Sequence, residues 1–352
     1  MGEAALQAMN EAARSHVRIR DLQKEVHARI ARMTNNEDAC VTPGAMAGIY
    51  LAIASCISLK YQKLYKYISK EQVTNSEVIM FRAHRNPYDH GLEILGIKLI
   101  EIGYPNNISI VTSEEFENAI SNNTVAVLFL PSCEGGWVPP GAIDFIRVME
   151  IAVRRNVPVI VDAAAQLPPK SSFWSFTEQG ASAVVFSGGK DLKGPQTTGL
   201  VLGKSSLMKW VHGNHFPNYG IGRMFKVGRE ELAGIYVAVK EYIESDELQR
   251  LHECDEIVSS FLNAFIQDED NIHFERTWPN EAGQPIPRAR LRINKSSLTA
   301  EDILNTLALS DPSIFVIVEN GYIYINPMTL NKTEAKEVLE IFHKINESNK
   351  SQ

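Results

Sequence analysis

Three apolar runs constrain the fold of this chain most: Val125–Leu130 (VAVLFL), Val157–Val161 (VPVIV) and Ala183–Phe186 (AVVF). None alternates apolar with polar residues, so each predicts a strand covered on both faces, as in a parallel sheet. Shorter runs at Cys40–Val41, Val78–Phe81, Lys98–Ile102 and Leu200–Leu202 predict further strands. Helical patterns stand between them, among them Gly44–Ser58 and Gly141–Arg155. Such alternation is α/β architecture, whose sites lie beyond the carboxyl ends of the strands. Two helical patterns precede it, through Ala4–Ala13 and Leu22–Met33. After about Gly228 the texture changes. Helices over Glu230–Ser245 and Leu248–Gln267, a strand at Ile286–Ile293, a helix at Ala300–Leu309, strands at Ser313–Val318 and Tyr322–Asn326 and a helix at Lys332–Asn346 make an α+β unit. The predicted division is a large domain over 1–228 and a small one over 229–352, with the N-terminal helices free to pack with the latter.

Composition narrows the function classes. At 352 residues, 44% hydrophobic and 22% charged, the chain is an ordinary globular one. Its 35 basic against 42 acidic residues give a net charge of −7, which argues against sequence-independent nucleic-acid binding. The longest apolar stretch, Ala45–Ile57, is shorter than the ~18 residues of a membrane span and is interrupted by Tyr50 and Ser55. The amino end lacks the basic and apolar blocks of a secretory signal, so a cytoplasmic protein is expected. Cys40, Cys56, Cys133 and Cys254 stand singly, and their spacing suggests neither a disulfide framework nor a metal site.

Two glycine motifs fall short of phosphate loops and read as turns. Gly199 to Ser205 has three residues where a P-loop needs four between its glycines, and Phe225 stands where the Gly220/Gly222 pair would need a third glycine. The informative segment is FSGGKDLKGPQTTG, Phe186–Gly199, in which a Ser-Gly-Gly turn delivers Lys190 to the edge of the sheet. A desolvated lysine there loses affinity for its proton and becomes a nucleophile; an exposed loop tip is the competing reading. Asp162 ends its strand 28 residues earlier and is followed by three alanines, of which Ala164 leaves room for a flat ring. Alone, Asp162 reads equally as a helix cap or a magnesium ligand. Paired with Lys190 it suits pyridoxal phosphate, which needs a lysine and an acid to hold its ring nitrogen protonated.

Three further segments complete the constellation. Thr42-Pro43-Gly44-Ala45-Met46 opens a helix whose bare N–H groups can seat a phosphate, or can pack tightly on a neighbour. His84, Arg85, Tyr88 and His90 form a polar cluster after a buried strand and read as pocket lining: His84 against a cofactor ring, Arg85, Tyr88 and His90 against substrate. The basic loop from Gly220 to Glu230, with Arg223 and Lys226, is either a solvated linker or a second anion site.

VTPGAMAGIYLA, HRNPYDHG, PVIVDAAAQLPP, FSGGKDLKGPQTTGLVLG and GIGRMFKVGREE, in this order, resemble the selenocysteine-synthase-like branch of fold-type I pyridoxal-phosphate enzymes, and within it the D-glucosaminate-6-phosphate ammonia-lyases and their relatives. The resemblance spans nearly the whole chain. It implies a mostly parallel seven-stranded sheet flanked by helices, with a small C-terminal α+β domain. It also implies pyridoxal 5'-phosphate on Lys190, Asp162 at the ring nitrogen, Gly44, Ala45, Met46 and Ser187 at the phosphate, and His84 stacked on the ring. Family members carry a Gly-, Asn- and Thr-rich segment before the helix equivalent to Ala4–Ser15; this sequence begins almost at that helix, so either the segment is missing or different chemistry is expected of this member. Selenocysteine synthase adds a tRNA-binding domain, whose absence here sets a tRNA substrate aside.

The expected activity is a lyase eliminating ammonia from a polyhydroxylated or phosphorylated amino acid such as D-glucosaminate 6-phosphate, with Arg223 on a carboxylate or phosphate. A racemase, epimerase or selenium-transferase-like enzyme is the alternative, and a catalytically silent paralogue the second. By the same resemblance the protein is expected to form a homodimer or a ring of dimers, with no membrane or nucleic-acid partner.

Overall fold

A computed structural model describes residues 1–104, 109–131, 142–265, 272–293 and 299–350. The start of the helix expected from Gly141, the end of that expected to Gln267, and Cys133 lie outside these residues. The chain divides into two compact units, Met1–Ser245 and Asp246–Gln352.

The first unit contains α1 (Glu3–Ala13), α2 (Ile19–Met33), β1 (Asp38–Thr42), α3 (Ala45–Tyr61), α4 (Lys70–Asn75), β2 (Glu77–Phe81), α5 (His90–Ile94), β3 (Lys98–Ile102), α6 (Ser113–Ala119), β4 (Thr124–Phe129), α7 (Phe145–Arg154), β5 (Val159–Asp162), α8 (Ser172–Glu178), β6 (Ala183–Ser187), β7 (Gly199–Gly203), α9 (Ser205–Asn214) and α10 (Arg229–Glu244). Its seven strands run in the order β1-β7-β6-β5-β4-β2-β3. Neighbours from β6 through β5, β4 and β2 to β3 are parallel, and β7 runs antiparallel to both β6 and β1. The mostly parallel seven-stranded sheet is therefore present as expected.

Alternate residues of each central strand feed two separate cores, which is why the sequence shows no polar alternation. Ile79, Phe81, Val127, Phe129, Val161, Val184 and Phe186 join α2, α7, α8 and α10 on one face. Val78, Met80, Leu128, Ile160, Val185 and Val201 join α3 and α9 on the other. Phe81, Phe173 and Phe186 are wholly buried, and each such side chain contributes about 1.5–3 kcal/mol. Helix α3 is buried almost all round, in keeping with its small residues.

The division falls at Ser245 rather than at the expected Gly228. The reason is packing: α10 carries Leu232, Ile235 and Val239 into the first core and lies against α1 and α2. The N-terminal helices are thus part of the large unit. Gly2 N–H donates to the Lys193 carbonyl at 2.9 Å, and Gly234 of α10 closes on Met9.

The second unit contains α11 (Glu247–Ala264), β8 (Ile272–Thr277), β9 (Arg288–Ile293), α12 (Ala300–Leu309), β10 (Ile317–Glu319), β11 (Tyr322–Ile325) and α13 (Lys332–Lys350). Its antiparallel sheet has the order β10-β11-β9-β8, with Phe261, Phe274, Leu291, Ile303 and Phe342 in the core. The α+β expectation is met. Strand β8 has no counterpart in the sequence reading, because its burial alternates around charged Glu275 and Arg276.

Candidate active site

Strand register gathers the candidate residues at one edge of the first sheet. Asp162 ends β5 opposite Val185 of β6, and β6 continues two residues further to Ser187. Ser187 and Thr42 both lie opposite Gly199, so the carboxyl end of β1 and the amino end of β7 reach the same edge. The near-miss P-loop over Gly199–Gly203 is strand β7 itself.

Between β6 and β7 the chain makes a tight loop. Gly188 N–H donates to the Thr198 carbonyl at 2.8 Å and its own carbonyl accepts from Gly194 N–H at 2.9 Å. A Cβ on Gly188 would stand 2.0 Å from Thr198 Oγ1, and one on Gly189 2.3 Å from Gln196 Oε1. The two glycines are therefore required by packing inside the loop, and Lys190 emerges from it half-buried. Asp191 beside it is buried and accepts the Tyr242 hydroxyl at 2.6 Å, tying the loop to α10.

Asp162 accepts the Ala164 N–H at 3.1 Å. Burial pushes its carboxyl above the usual range, while that N–H and the charge of Lys190 hold it back. A desolvated carboxylate with one backbone donor favours a further cationic partner.

Helix α3 begins at Gly44, whose φ of 106° a side chain would resist and beside which a Cβ would meet nothing within 4 Å. The first N–H groups of the helix, at Ala45 and Met46, precede its first internal bond, from Gly48 N–H to the Gly44 carbonyl. Gly199 lies directly beneath: a Cβ there would be 2.4 Å from the Gly44 carbonyl carbon. One residue thus spaces the lysine loop from the helix start. Met46 in turn touches Gly91 of α5, which brings the 82–91 segment to the same edge.

That segment is largely occupied with itself. His84, expected to lie against a cofactor ring, is wholly buried, edge-on to Phe129 at 4.9 Å and Phe81 at 5.2 Å. Its Nδ1 accepts the Leu130 N–H at 3.2 Å, Nε2 has no hydrogen-bond partner among the described residues, and burial lowers its pKa to about 4. Arg85 is held by both oxygens of Asp89, at 2.7 and 3.0 Å, and by Glu101 and Glu93. Tyr88 is 62% exposed, and His90 faces solvent with Nδ1 on Glu93 at 2.9 Å. Arg223 lies over the rings of Phe216 and Tyr219, at 4.9 and 5.7 Å, beyond α9. The structure therefore brings Lys190, Asp162, Ala164, Ser187 and the Gly44–Met46 turn to one edge. It gives Arg85 and His84 internal partners instead of an open face. Sequence reasoning missed Thr198, Gly199 and Tyr242, which shape the loop through contacts that only the fold creates.

A family model described as L-seryl-tRNA selenium transferase matches residues 6–265. The chain is 26% identical over 341 residues to the D-glucosaminate-6-phosphate ammonia lyase of Salmonella typhimurium, covering 94% of this chain and 86% of that protein. It is also 26% identical over 353 residues to a 5'-C-glycyluridine monooxygenase-decarboxylase of a Streptomyces species, covering 96% and 84%. Among solved structures, D-glucosaminate-6-phosphate ammonia-lyase superposes with a TM-score of 0.80 at 24% identity, over 99% of this chain and 92% of that one. The fold is that of fold-type I pyridoxal-phosphate enzymes.

Proposed function

The chain belongs to the L-seryl-tRNA selenium transferase family, and from that premise we propose that it is a pyridoxal-phosphate-dependent ammonia-lyase acting on a polyhydroxylated or phosphorylated amino acid. The observation that carries the reading is the placement of Asp162 and the Ser187-Gly188-Gly189-Lys190 turn at the ends of adjacent parallel strands, with the open helix start at Gly44 on the same edge.

The residues fit the cofactor by their chemistry. The half-buried, desolvated Asp162 carboxylate calls for a cation, which a protonated ring nitrogen is, and the bare N–H groups of Ala45 and Met46 with the Ser187 hydroxyl are donors for a phosphate. When bound, pyridoxal phosphate supplies an electrophilic carbon and an electron-accepting ring. Lys190 Nζ would hold that carbon and afterwards take the proton from the α-carbon of the substrate. Asp162 would keep the ring nitrogen protonated throughout. The tight 188–198 loop would fix the distance from Nζ to the phosphate seat. The β-hydroxyl would then leave as water, and hydrolysis of the elimination product would give ammonia and a 2-keto acid.

D-glucosaminate 6-phosphate is the first compound to test, because the relative at 26% identity is named for it. Arg223 and Lys226 would meet its anionic groups, or those of the neighbouring subunit's cofactor, in a homodimer or ring of dimers. Exposed Tyr219 (78%) and Met224 (66%) beside Arg223 support a protein partner at that loop. Release of ammonia and keto acid from the sugar acid supports the lyase. Turnover of alanine or ornithine far above it, without keto acid, would replace the lyase with a racemase. Selenium transfer is favoured by the name of the family model and by relatives of that name at 23% identity over 280 residues, and incubation with a selenium donor and a seryl substrate tests it.

A further inference from the structure

Cysteine spacing suggests no metal site, yet among the described residues the fold assembles one set of ligand types away from the lysine edge. β1 is an edge strand, paired only with β7, and its outward side is covered by side chains from α2 and α9. Val41 donates its N–H to His27 Nε2 at 3.1 Å, and its carbonyl accepts from His215 Nε2 at 3.0 Å. Beside them, ligand atoms of His27, Cys40 and His212 all lie within 4.8 Å of one another.

We propose that His27, Cys40 and His212 bind a thiophilic divalent ion of the zinc class, with a fourth position open to the cavity beside β1. Thiolate sulfur with imidazole nitrogen is the donor set that selects such ions over magnesium or calcium. With Nε2 donating to Asp38 Oδ2 at 3.0 Å, the tautomer that suits a carboxylate, His212 can offer Nδ1 to an ion beside the Cys40 sulfur, with which its ring already interacts. A carboxylate behind a ligating histidine is the arrangement that fixes its tautomer and raises its basicity. His215 Nδ1 is buried and makes no geometric hydrogen bond among the described residues, while its ring interacts with the Cys40 sulfur. A cavity of about 550 Å3, lined by His27, Asp38, His212 and His215 among others, gives an ion a path to the cluster. The charges close: a divalent cation, one thiolate and the Asp38 carboxylate sum to zero. A His27 that ligates through Nε2 would exchange the Val41 N–H for the ion.

The test is a titration of the purified, reduced and chelator-treated holoenzyme with Co2+, followed by competition with Zn2+. One equivalent should bring in visible bands of a tetrahedral site and a near-ultraviolet sulfur-to-cobalt charge-transfer band, both displaced by Zn2+. Cys40→Ser should abolish the charge-transfer band, and Cys254→Ser should leave it. Asp38→Asn, which keeps all three ligands, should weaken binding by about 10-fold or more. Should Cys40→Ser not fold, His212→Gln on the cavity wall carries the same test and should lose the tetrahedral bands. No stoichiometric binding by the unaltered protein, or a charge-transfer band that survives in Cys40→Ser, overturns the assignment.

Discussion

Two halves of one sheet edge are built on different principles. The half made by β5, β6, β7 and the start of α3 is held by backbone: Gly188, Gly189 and Gly199 sit where any side chain would collide, and Asp162 is fixed by the Ala164 N–H. The half made by residues 82–91 is held by side chains, with Arg85 clamped by three carboxylates and His84 sealed among phenylalanines. Backbone-built geometry does not depend on the functional side chains that it carries. A side-chain-built segment spends its functional groups on itself.

The largest expected effect tests the first half. Lys190→Ala should lower turnover by on the order of 10³-fold or more, and borohydride reduction followed by peptide mapping should tag Lys190 in the parent. A tag on Lys193, Lys204 or Lys226 breaks the comparison at its base. Asp162→Asn should come next, retaining some cofactor while losing about 10²–10³-fold in kcat, because a neutral amide cannot hold a ring nitrogen protonated. Near-parental rates would make Asp162 structural.

The second half should respond in stability rather than rate. With its folded pKa lowered to about 4, His84 binds a proton more readily in the unfolded chain. Its contribution is full above about pH 6.5 and is lost as pH falls towards 4, on the order of 3 kcal/mol across that window. Denaturant midpoints between pH 4 and 7 should show the slope, and His84→Phe should flatten it. An unchanged slope would mean that His84 is not the titrating group.

Arg85→Gln is the smallest. It leaves the buried Asp89 without its bidentate partner and should cost about 1–3 kcal/mol of stability, with KM unmoved. A raised KM with intact stability would return Arg85 to the substrate and erase the contrast between the two halves.

The same contrast explains what the sequence made legible. Glycine, proline and a lone lysine after an apolar run carry their meaning in the chain itself, so Lys190, Asp162 and the Gly44 turn could be read without a fold. The partners of Arg85 lie at 89, 93 and 101, and nothing in their spacing tells a salt-bridge hub from a substrate clamp. His27, Cys40 and His212 are further still, joined only because α2 and α9 both cover β1. The domain boundary failed for a related reason: the apolar stripe of α10 does not say which core it enters.

The bond from Gly2 N–H to the Lys193 carbonyl has a practical consequence. Any purification handle or fluorescent fusion placed ahead of Met1 leaves the molecule three residues along the loop from Lys190, and its bulk would press on the segment that sets the position of the lysine.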